Sequence, residues 1–259
     1  MILTIDSGNT NIVFAVYDGS RLRASWRAAN DTRKTADEFG IWLAQLMSLE
    51  GLKREDITGA IIASVVPGIV YSLKSLCLRY FQVEPLVVGE ANVDIGIELL
   101  LESPDEAGAD RIVNAVAAYQ TYGGSLIVLD FGTATTFDVV TAEGAYAGGC
   151  IAPGINLSLE ALHMAAAKLP RVAIEPPQKV ICSSTVSAIK SGVFWGYVGL
   201  IEGLVVRIRE EYGAPMTVIA TGGLAPLFHR HTSAIQHLDP DLTLRGLELI
   251  YRRNAGKAA

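Results

Sequence analysis

Cysteine, histidine, basic runs and long apolar stretches are all scarce in this chain of 259 residues. Its three cysteines, Cys77, Cys150 and Cys182, are an odd number without CxxC spacing, so neither a disulfide framework nor a zinc ribbon is expected and reduced, buried thiols are. The four histidines, His163, His229, His231 and His237, form no HExxH pair, which removes the common zinc hydrolase signature. The longest apolar run, Val193 to Ile201, stops at Glu202, short of the roughly 20 residues a membrane span needs. Met1 leads straight into an apolar strand without the basic-then-apolar order of a secretory leader. A soluble, cytoplasmic protein with no membrane partner is the expectation. Net charge is −6 and no Lys/Arg run makes a stripe that could track a phosphodiester backbone, so no nucleic-acid partner is expected either. Arg252, Arg253 and Lys257 near the end read as a helix C-terminus and a tail.

What the chain has is apolar content, 50% of residues, over a length that can bury roughly three quarters of its unfolded surface. It also repeats itself. Met1 to Gly19 and Ser125 to Gly144 share one form, an apolar strand ending in Asp-x-Gly, a polar turn and a second β-branched strand. Asp6 aligns with Asp130 and Gly8 with Gly132. Ile61 to Gly68 and Val218 to Ala225 repeat a second form, a buried strand running into a Gly/Pro turn. Two related halves facing each other across a cleft are expected, divided as residues 1–118 and 119–259.

Each half reads as β-β-β-α-β-α-β. In the first, Asp18-Gly-Ser20 turns a hairpin. Thr35 to Glu38 is a capping box opening a helix with Phe39, Trp42, Leu43, Leu46 and Met47 at helical spacing. Strand 60–66, helix 68–80 and strand 85–88 follow, and a helix over about 109–119 bridges the halves. The second half predicts strands near 126–130, 135–141 and 145–151, helix 157–168, a proline-rich loop 170–177, a long helix 186–211, strand 217–220 and two terminal helical segments. Gly192, Gly196, Gly199 and Gly203 share one face of the long helix. Each costs about 1 kcal/mol relative to alanine, so a close contact must compensate, either with the protein's own sheet or with a twin helix across a two-fold axis.

Asp6-Ser-Gly-Asn-Thr-Asn11 offers a carboxylate, an unhindered glycine and short hydrogen-bonding side chains within one turn. A nucleotide polyphosphate needs such donors, and its Mg²⁺ needs an acid such as Asp6, directly or through water. Alone this could be an Asx-turn; the copy at Asp130-Phe-Gly-Thr-Ala-Thr-Thr136 argues for two phosphate-gripping turns. Thr221-Gly-Gly223 is the natural third contact, where backbone can approach adenine or ribose.

This constellation resembles the actin, sugar-kinase and acetate-kinase superfamily, which implies two duplicated ribonuclease-H-like (actin-like ATPase) domains in the α/β class around a central cleft. Gly108-Ala-Asp-Arg-Ile-Val-Asn-Ala115, Asp130 to Val140, Gly148-Gly-x-Ile-x-Pro-Gly154, Lys168-Leu-Pro-Arg-Val172 and Thr185 to Gly203 narrow the resemblance to type III pantothenate kinases. The resemblance implies transfer of the γ-phosphate of ATP to pantothenate, giving 4′-phosphopantothenate, the first step toward coenzyme A, with ATP-Mg and a monovalent cation, K⁺ or NH₄⁺, as cofactors and a homodimer as the assembly. It places the proton acceptor on Asp110 and pantothenate on Gly108, Ala109, Asp110, Arg111 and Thr185. ATP falls to Asp6, Ser7, Gly8, Asn9, Thr10, Asn11, Ile12, Val13 and Thr133, and the monovalent cation to Asp130. The plainer readings are a helix cap for Asp110 and an N-cap for Thr185.

Two positions depart from the family pattern: Leu101, where an aromatic residue usually stands seven positions before the GxDR glycine, and Cys182-Ser-Ser-Thr185, where Gly-x-Asn/Asp-Thr is usual. Both bear on acceptor affinity, whereas Asp110, Arg111 and the paired turns are intact. The alternative is a non-catalytic regulatory or accessory protein on the same fold, against which the retained Asp110 argues. A kinase for another small hydroxylated acid is the third reading.

Overall fold

The computed structural model describes residues 1–166 and 169–256; Lys168 and Lys257, which figure in the sequence reading, lie outside the described residues. The chain divides into two compact units, Met1–Thr121 together with the segment from Asp241 onward, and Tyr122–Pro240. The division comes three residues later than the sequence reading places it, and the last helix joins the first unit instead of the second.

The first unit is built on β1 (Ile2–Ser7), β2 (Asn11–Asp18), β3 (Arg21–Ala29), β4 (Gly59–Ser64) and β5 (Pro85–Val87), arranged β3-β2-β1-β4-β5. The hairpin strands are antiparallel, and β4 and β5 run parallel to β1. Strand alternation sorts side chains to two faces. Leu3, Ile5, Ile12, Phe14, Val16, Ala60 and Ile62 point to one, where they bury with α1 (Ala36–Leu49) and α2 (Pro67–Leu76). The expected capping box is present: Glu38 N–H donates to Thr35 Oγ1 and the Glu38 carboxylate accepts from Thr35 N–H at 2.8 Å. The chain beyond α2 continues through one wider π turn at Cys77–Phe81 and ends on Gln82 in the left-handed region, φ 58°. Ile61 and Ala63 point to the opposite face, covered by α3 (Ala109–Tyr122) and α7 (Leu242–Ala255). Leu247 and Ile250 of α7 bury there, and Leu244 packs on Ala15 and Tyr17 of β2. Gly246 lets the two helix backbones meet, since a methyl at that position would lie 2.2 Å from the Val113 carbonyl oxygen of α3. That is the physical reason the last helix belongs to the first unit.

The second unit repeats the plan with β6 (Leu126–Phe131), β7 (Ala134–Val140), β8 (Tyr146–Pro153), β9 (Thr217–Gly222) and a two-residue β10 (His237–Leu238) that the sequence reading lacks. Their order, β8-β7-β6-β9-β10, is that of the first sheet position for position. The duplication expected from Asp6/Asp130 is thus a duplication of topology. Between β8 and β9 stand α4 (Ile155–Ala165) and the 28-residue α5 (Thr185–Tyr212), and α6 (Ala225–His229) precedes β10.

By length and composition alone α5 could cross a membrane, a possibility the run-length argument from sequence passes over. Its apolar face, Phe194, Tyr197, Val198, Ile201 and Val205, is spent on the core with Ile127, Leu129, Val218 and Phe228. The glycine face is elsewhere. Methyls placed at Gly192, Gly196 or Gly199 would meet nothing within 4 Å, so close packing on the unit's own sheet does not explain these glycines.

Candidate active site

In the first unit, β1 and β2 are joined by the four residues between the paired Ser7 and Ile12. Gly8 N–H donates to the Asn11 carbonyl at 3.0 Å and closes the turn, leaving Asn9, Thr10 and Asn11 exposed at its tip. Asp6 is half-buried at the strand end and Ser7 is buried. Ile12 lies in the core and Val13 packs on the opposite cluster, so these two could face a nucleotide through backbone only. Two residues absent from the sequence reading hold the turn. The Asn30 side-chain amide donates to the Gly8 carbonyl at 2.6 Å, and its backbone N–H donates to the Thr10 carbonyl at 2.9 Å. Val65, just past β4, donates its N–H to the Ser7 carbonyl at 3.1 Å.

Val65 also reaches the second motif. A methyl on Gly108 would sit 3.6 Å from Val65 Cγ1 and 2.7 Å from Asp110 Oδ1, so Gly108 is small because the Asp110 carboxylate occupies the space. The Gly108 carbonyl accepts from the N–H groups of Arg111 and Ile112, which makes Gly108 the residue that starts α3. Asp110 is therefore inside the first helical turn, half-buried, and not the cap that the plainer reading made it. Its Oδ1 accepts from Arg111 N–H at 2.8 Å. The positive end of the α3 dipole favours the ionised carboxylate there. Ala109 is buried and Arg111 half-buried.

In the second unit the equivalent turn is one residue shorter, with three residues between the paired Phe131 and Thr135. Gly132 N–H donates to the Ala134 carbonyl at 3.0 Å, the counterpart of the Gly8 bond. Glycines press on this turn from two directions. A methyl on Gly154 would lie 2.3 Å from the Thr133 carbonyl oxygen, and one on Gly222 would lie 2.7 Å from Asp130 Oδ1. Gly154 N–H donates to the same Thr133 carbonyl at 3.1 Å. Tyr197 of α5 bonds to the Thr135 hydroxyl and donates to the Pro153 carbonyl at 3.1 Å, anchoring both sides of the contact; burial pushes its phenol pKa up. Beneath lies Asp138, wholly buried, accepting from the Tyr146 hydroxyl at 2.8 Å and from the Thr136 hydroxyl at 2.7 Å.

Thr185 is exposed and is the first residue of α5. The N-cap is Ser184, whose side chain accepts from Ser187 N–H, so the cap reading belongs to Ser184 and not to Thr185. No disulfide joins the cysteines: Cys77 is buried as expected, which pushes its thiol up to about 12, whereas Cys150 and Cys182 are only half-buried, against the expectation of buried thiols.

The donor chemistry fits a metal-nucleotide. Among the described residues no group of three or more Asp, Glu, His or Cys side chains could cage a metal ion. Mg²⁺ is usually bound by one or two carboxylates together with substrate phosphates and water, and single carboxylates beside exposed backbone turns are what Asp6 and Asp130 offer. Asp130 Oδ1, close against Gly222 at the end of β9, is an oxygen donor of the kind a hard monovalent cation accepts.

The family model for type III pantothenate kinase matches residues 2–207. A type III pantothenate kinase of Paramagnetospirillum magneticum is 68% identical over 255 residues, covering 98% of each chain. One from Rhodospirillum rubrum is 68% identical over 254 residues, covering 98% of this chain and 99% of that one. Among solved structures, a Campylobacter jejuni protein named for the Baf family of transcriptional activators superposes with a TM-score of 0.60 at 20% identity, covering 98% of this chain and 99% of that one. A ROK hexokinase from Thermus thermophilus does so with a TM-score of 0.50 at 13% identity over 98% and 99% of the two chains. At these identities the structural likenesses bear on fold alone.

Proposed function

The chain belongs to the type III pantothenate kinase family, and on that premise we propose a residue-level account of how it phosphorylates pantothenate. The protein is an ATP-dependent phosphotransferase with an alcohol acceptor. The observation that carries the assignment of its base is the Asp110 carboxylate, standing in the first turn of α3 over a glycine that has no side chain to displace it.

Asp110 accepts the proton of the primary hydroxyl of pantothenate. The hydroxyl oxygen bonds to the γ-phosphorus as the bond from that phosphorus to the β–γ bridging oxygen breaks, and ADP leaves with that oxygen. In a loose transition state the hydroxyl gives up its proton late, so an ordinary carboxylate aimed at that oxygen is base enough. Gly108, Ala109, Arg111 and Thr185 bind the acceptor, Arg111 supplying positive charge for its carboxylate or for the phosphoryl group in flight. The turn Asp6–Asn11, the backbone of Ile12 and Val13, and Thr133 hold ATP through N–H and hydroxyl donors. When bound, Mg²⁺ near Asp6 and a potassium or ammonium ion at Asp130 offset phosphate charge that no lysine in these motifs covers.

We further assign a cytoplasmic location and a homodimer joined through the open glycine face of α5, consistent with the empty space beside Gly192, Gly196 and Gly199. A non-catalytic regulator is not favoured: the relatives at 68% identity carry the kinase name.

The test is product formation from ATP, Mg²⁺ and pantothenate in potassium against sodium, with wild type beside Asp110→Asn. The account expects 4′-phosphopantothenate in potassium and a loss of about 10²–10⁴-fold in kcat for the variant. Full activity of Asp110→Asn would overturn the base assignment; equal rates in both salts would overturn the role of Asp130.

A further inference from the structure

The segment between β5 and α3, residues 88–108, carries Leu101 and ends at Gly108, and apart from one short turn at Pro104–Glu106 it has no helix or strand of its own. Its first part is tethered to α7, and in its second part Leu99 forms a single β-bridge. Val93 is buried, and Ile95 and Ile97 pack beside it against Leu247 and Ile250 of α7. Residues 98, 100 and 102–106 are exposed.

Asp94 is where the tether is densest. Asn254, near the C-terminus of α7, accepts from Asp94 N–H through Oδ1 at 2.9 Å and donates through Nδ2 to the Asp94 carbonyl at 2.9 Å. The carboxamide thus pairs with both backbone groups of one residue, as a neighbouring strand would. The same Nδ2 also donates to Ile250 O at 2.8 Å, which fixes the Asn254 side chain to its own helix. Arg253 Nε donates to Asp94 Oδ2 at 2.8 Å, while Asp94 Oδ1 accepts from Gly96 N–H at 2.9 Å and folds the segment over. Gly96 stands at φ 78°, and a methyl there would come within 2.8 Å of Arg253 Cδ.

Helix α7 also grips the far end of the segment. Gly246 sits against Val113, and the Thr243 hydroxyl donates to Asn114 Oδ1 at 2.7 Å, both on the helix that begins at Ala109. The arm 98–107, half-buried at Leu99, Leu101 and Ala107 and exposed elsewhere, thus has both of its flanks held by one helix, and that helix lies beyond residue 207, where the family match stops.

We propose that α7 sets acceptor affinity, with Arg253 and Asn254 as positioning residues that act through Asp94 on the arm carrying Leu101. This rests on the proposed binding of pantothenate at Gly108–Arg111 and on the bearing of Leu101 on acceptor affinity. The ATP turn is hydrogen-bonded by Asn30 and Val65, whereas Arg253 and Asn254 bond to Asp94, so the two substrates should respond differently when the Asp94 tether is cut.

The experiment is steady-state kinetics on the full chain for Arg253→Ala, Arg253→Lys and Asn254→Ala, with Asp110→Asn alongside. Arg253 is half exposed, so its removal leaves the core alone. Expected for Arg253→Ala is a rise of about 5- to 10-fold in KM for pantothenate, the size of one charge-assisted hydrogen bond, with KM for ATP and kcat unchanged. Arg253→Lys, which keeps the ion pair, should restore most of the loss. Asn254→Ala should move the same constant further, and digestion by a glutamate-specific protease at Glu98 and Glu102 should quicken in both alanine variants. Unchanged KM for pantothenate in Arg253→Ala, or an equal rise in KM for both substrates, overturns the proposal. Because Asp110→Asn reports on the base independently, its loss of activity beside an unmoved Arg253→Ala would sink this inference and leave the site assignment standing.

Discussion

At the scale of single residues, the placement of the Asp110 carboxylate depends on what Gly108 lacks. A methyl at Gly108 would press on Oδ1 from 2.7 Å, with Val65 Cγ1 at 3.6 Å and Arg111 Cδ at 3.7 Å limiting how the chain could yield. The inexpensive response is rotation of the short Asp110 side chain, which moves the proposed base without unfolding the helix. Gly108→Ala is therefore expected to lower kcat by about 10- to 100-fold, as misplacement of a catalytic group by a fraction of an ångström to an ångström does, while KM for ATP stays put. Stopped-time assays of phosphopantothenate against pantothenate and ATP concentration measure this directly. Wild-type kcat in Gly108→Ala would mean that the carboxylate position seen here is not the reacting one. Asp110 itself was legible in the sequence as part of a motif. Why its neighbour must be glycine was not, because the collision exists only once the helix start has been folded.

At the scale of elements, the two hairpin turns are copies with different supports. Gly8 and Gly132 close them with matching 3.0 Å bonds, but the first has four connecting residues and the second three. The first is held by Asn30 and Val65, the second by Gly154 and Gly222 with Tyr197 behind. Sequence showed the strands and the Asp-x-Gly signatures because those are local. It could not show Asn30, Val65 or Tyr197 in their roles, since each bonds to a residue 20 or more positions away and none carries a motif of its own. The two-residue β10 escaped for a related reason: no periodicity can be read from two residues. The supports are testable at Gly154, where the colliding atoms, Thr133 O at 2.3 Å and Gly132 O at 2.8 Å, are backbone and cannot swing aside. Gly154→Ala must displace the turn, so KM for ATP is expected to rise by about tenfold or more, with KM for pantothenate less affected. Fluorescence titration with an ATP analogue measures the same shift without turnover. Unaltered nucleotide affinity would detach this turn from ATP binding.

At the scale of the whole molecule, the sequence reading held two terminal helical segments without saying which sheet the last of them, Leu242–Ala255, would cover. Gly246 against Val113 and Leu244 against Tyr17 assign it to the first unit, so the chain's last segment completes its first. The four-glycine stripe of α5 was legible as a stripe, with two possible partners. The unit's own sheet takes the opposite face of the helix, and among the described residues a methyl at Gly192, Gly196 or Gly199 would meet nothing within 4 Å. Four glycines in a helix cost about 1 kcal/mol each against alanine, and small residues allow two helix axes to approach at the short end of the usual 8–10 Å range. In the proposed homodimer a second copy of α5 would repay that penalty where solvent does not. Gly196→Leu separates the possibilities cleanly. Leucine is the better helix former and meets nothing within its own unit, so thermal stability of the isolated subunit should hold or rise by roughly 1 kcal/mol. Two leucines facing each other would nevertheless force the helices apart. Light scattering is expected to show twice the chain mass for wild type and a monomer for Gly196→Leu. A variant that keeps the doubled mass, or a wild type that never shows it, would remove the glycine face from the assembly.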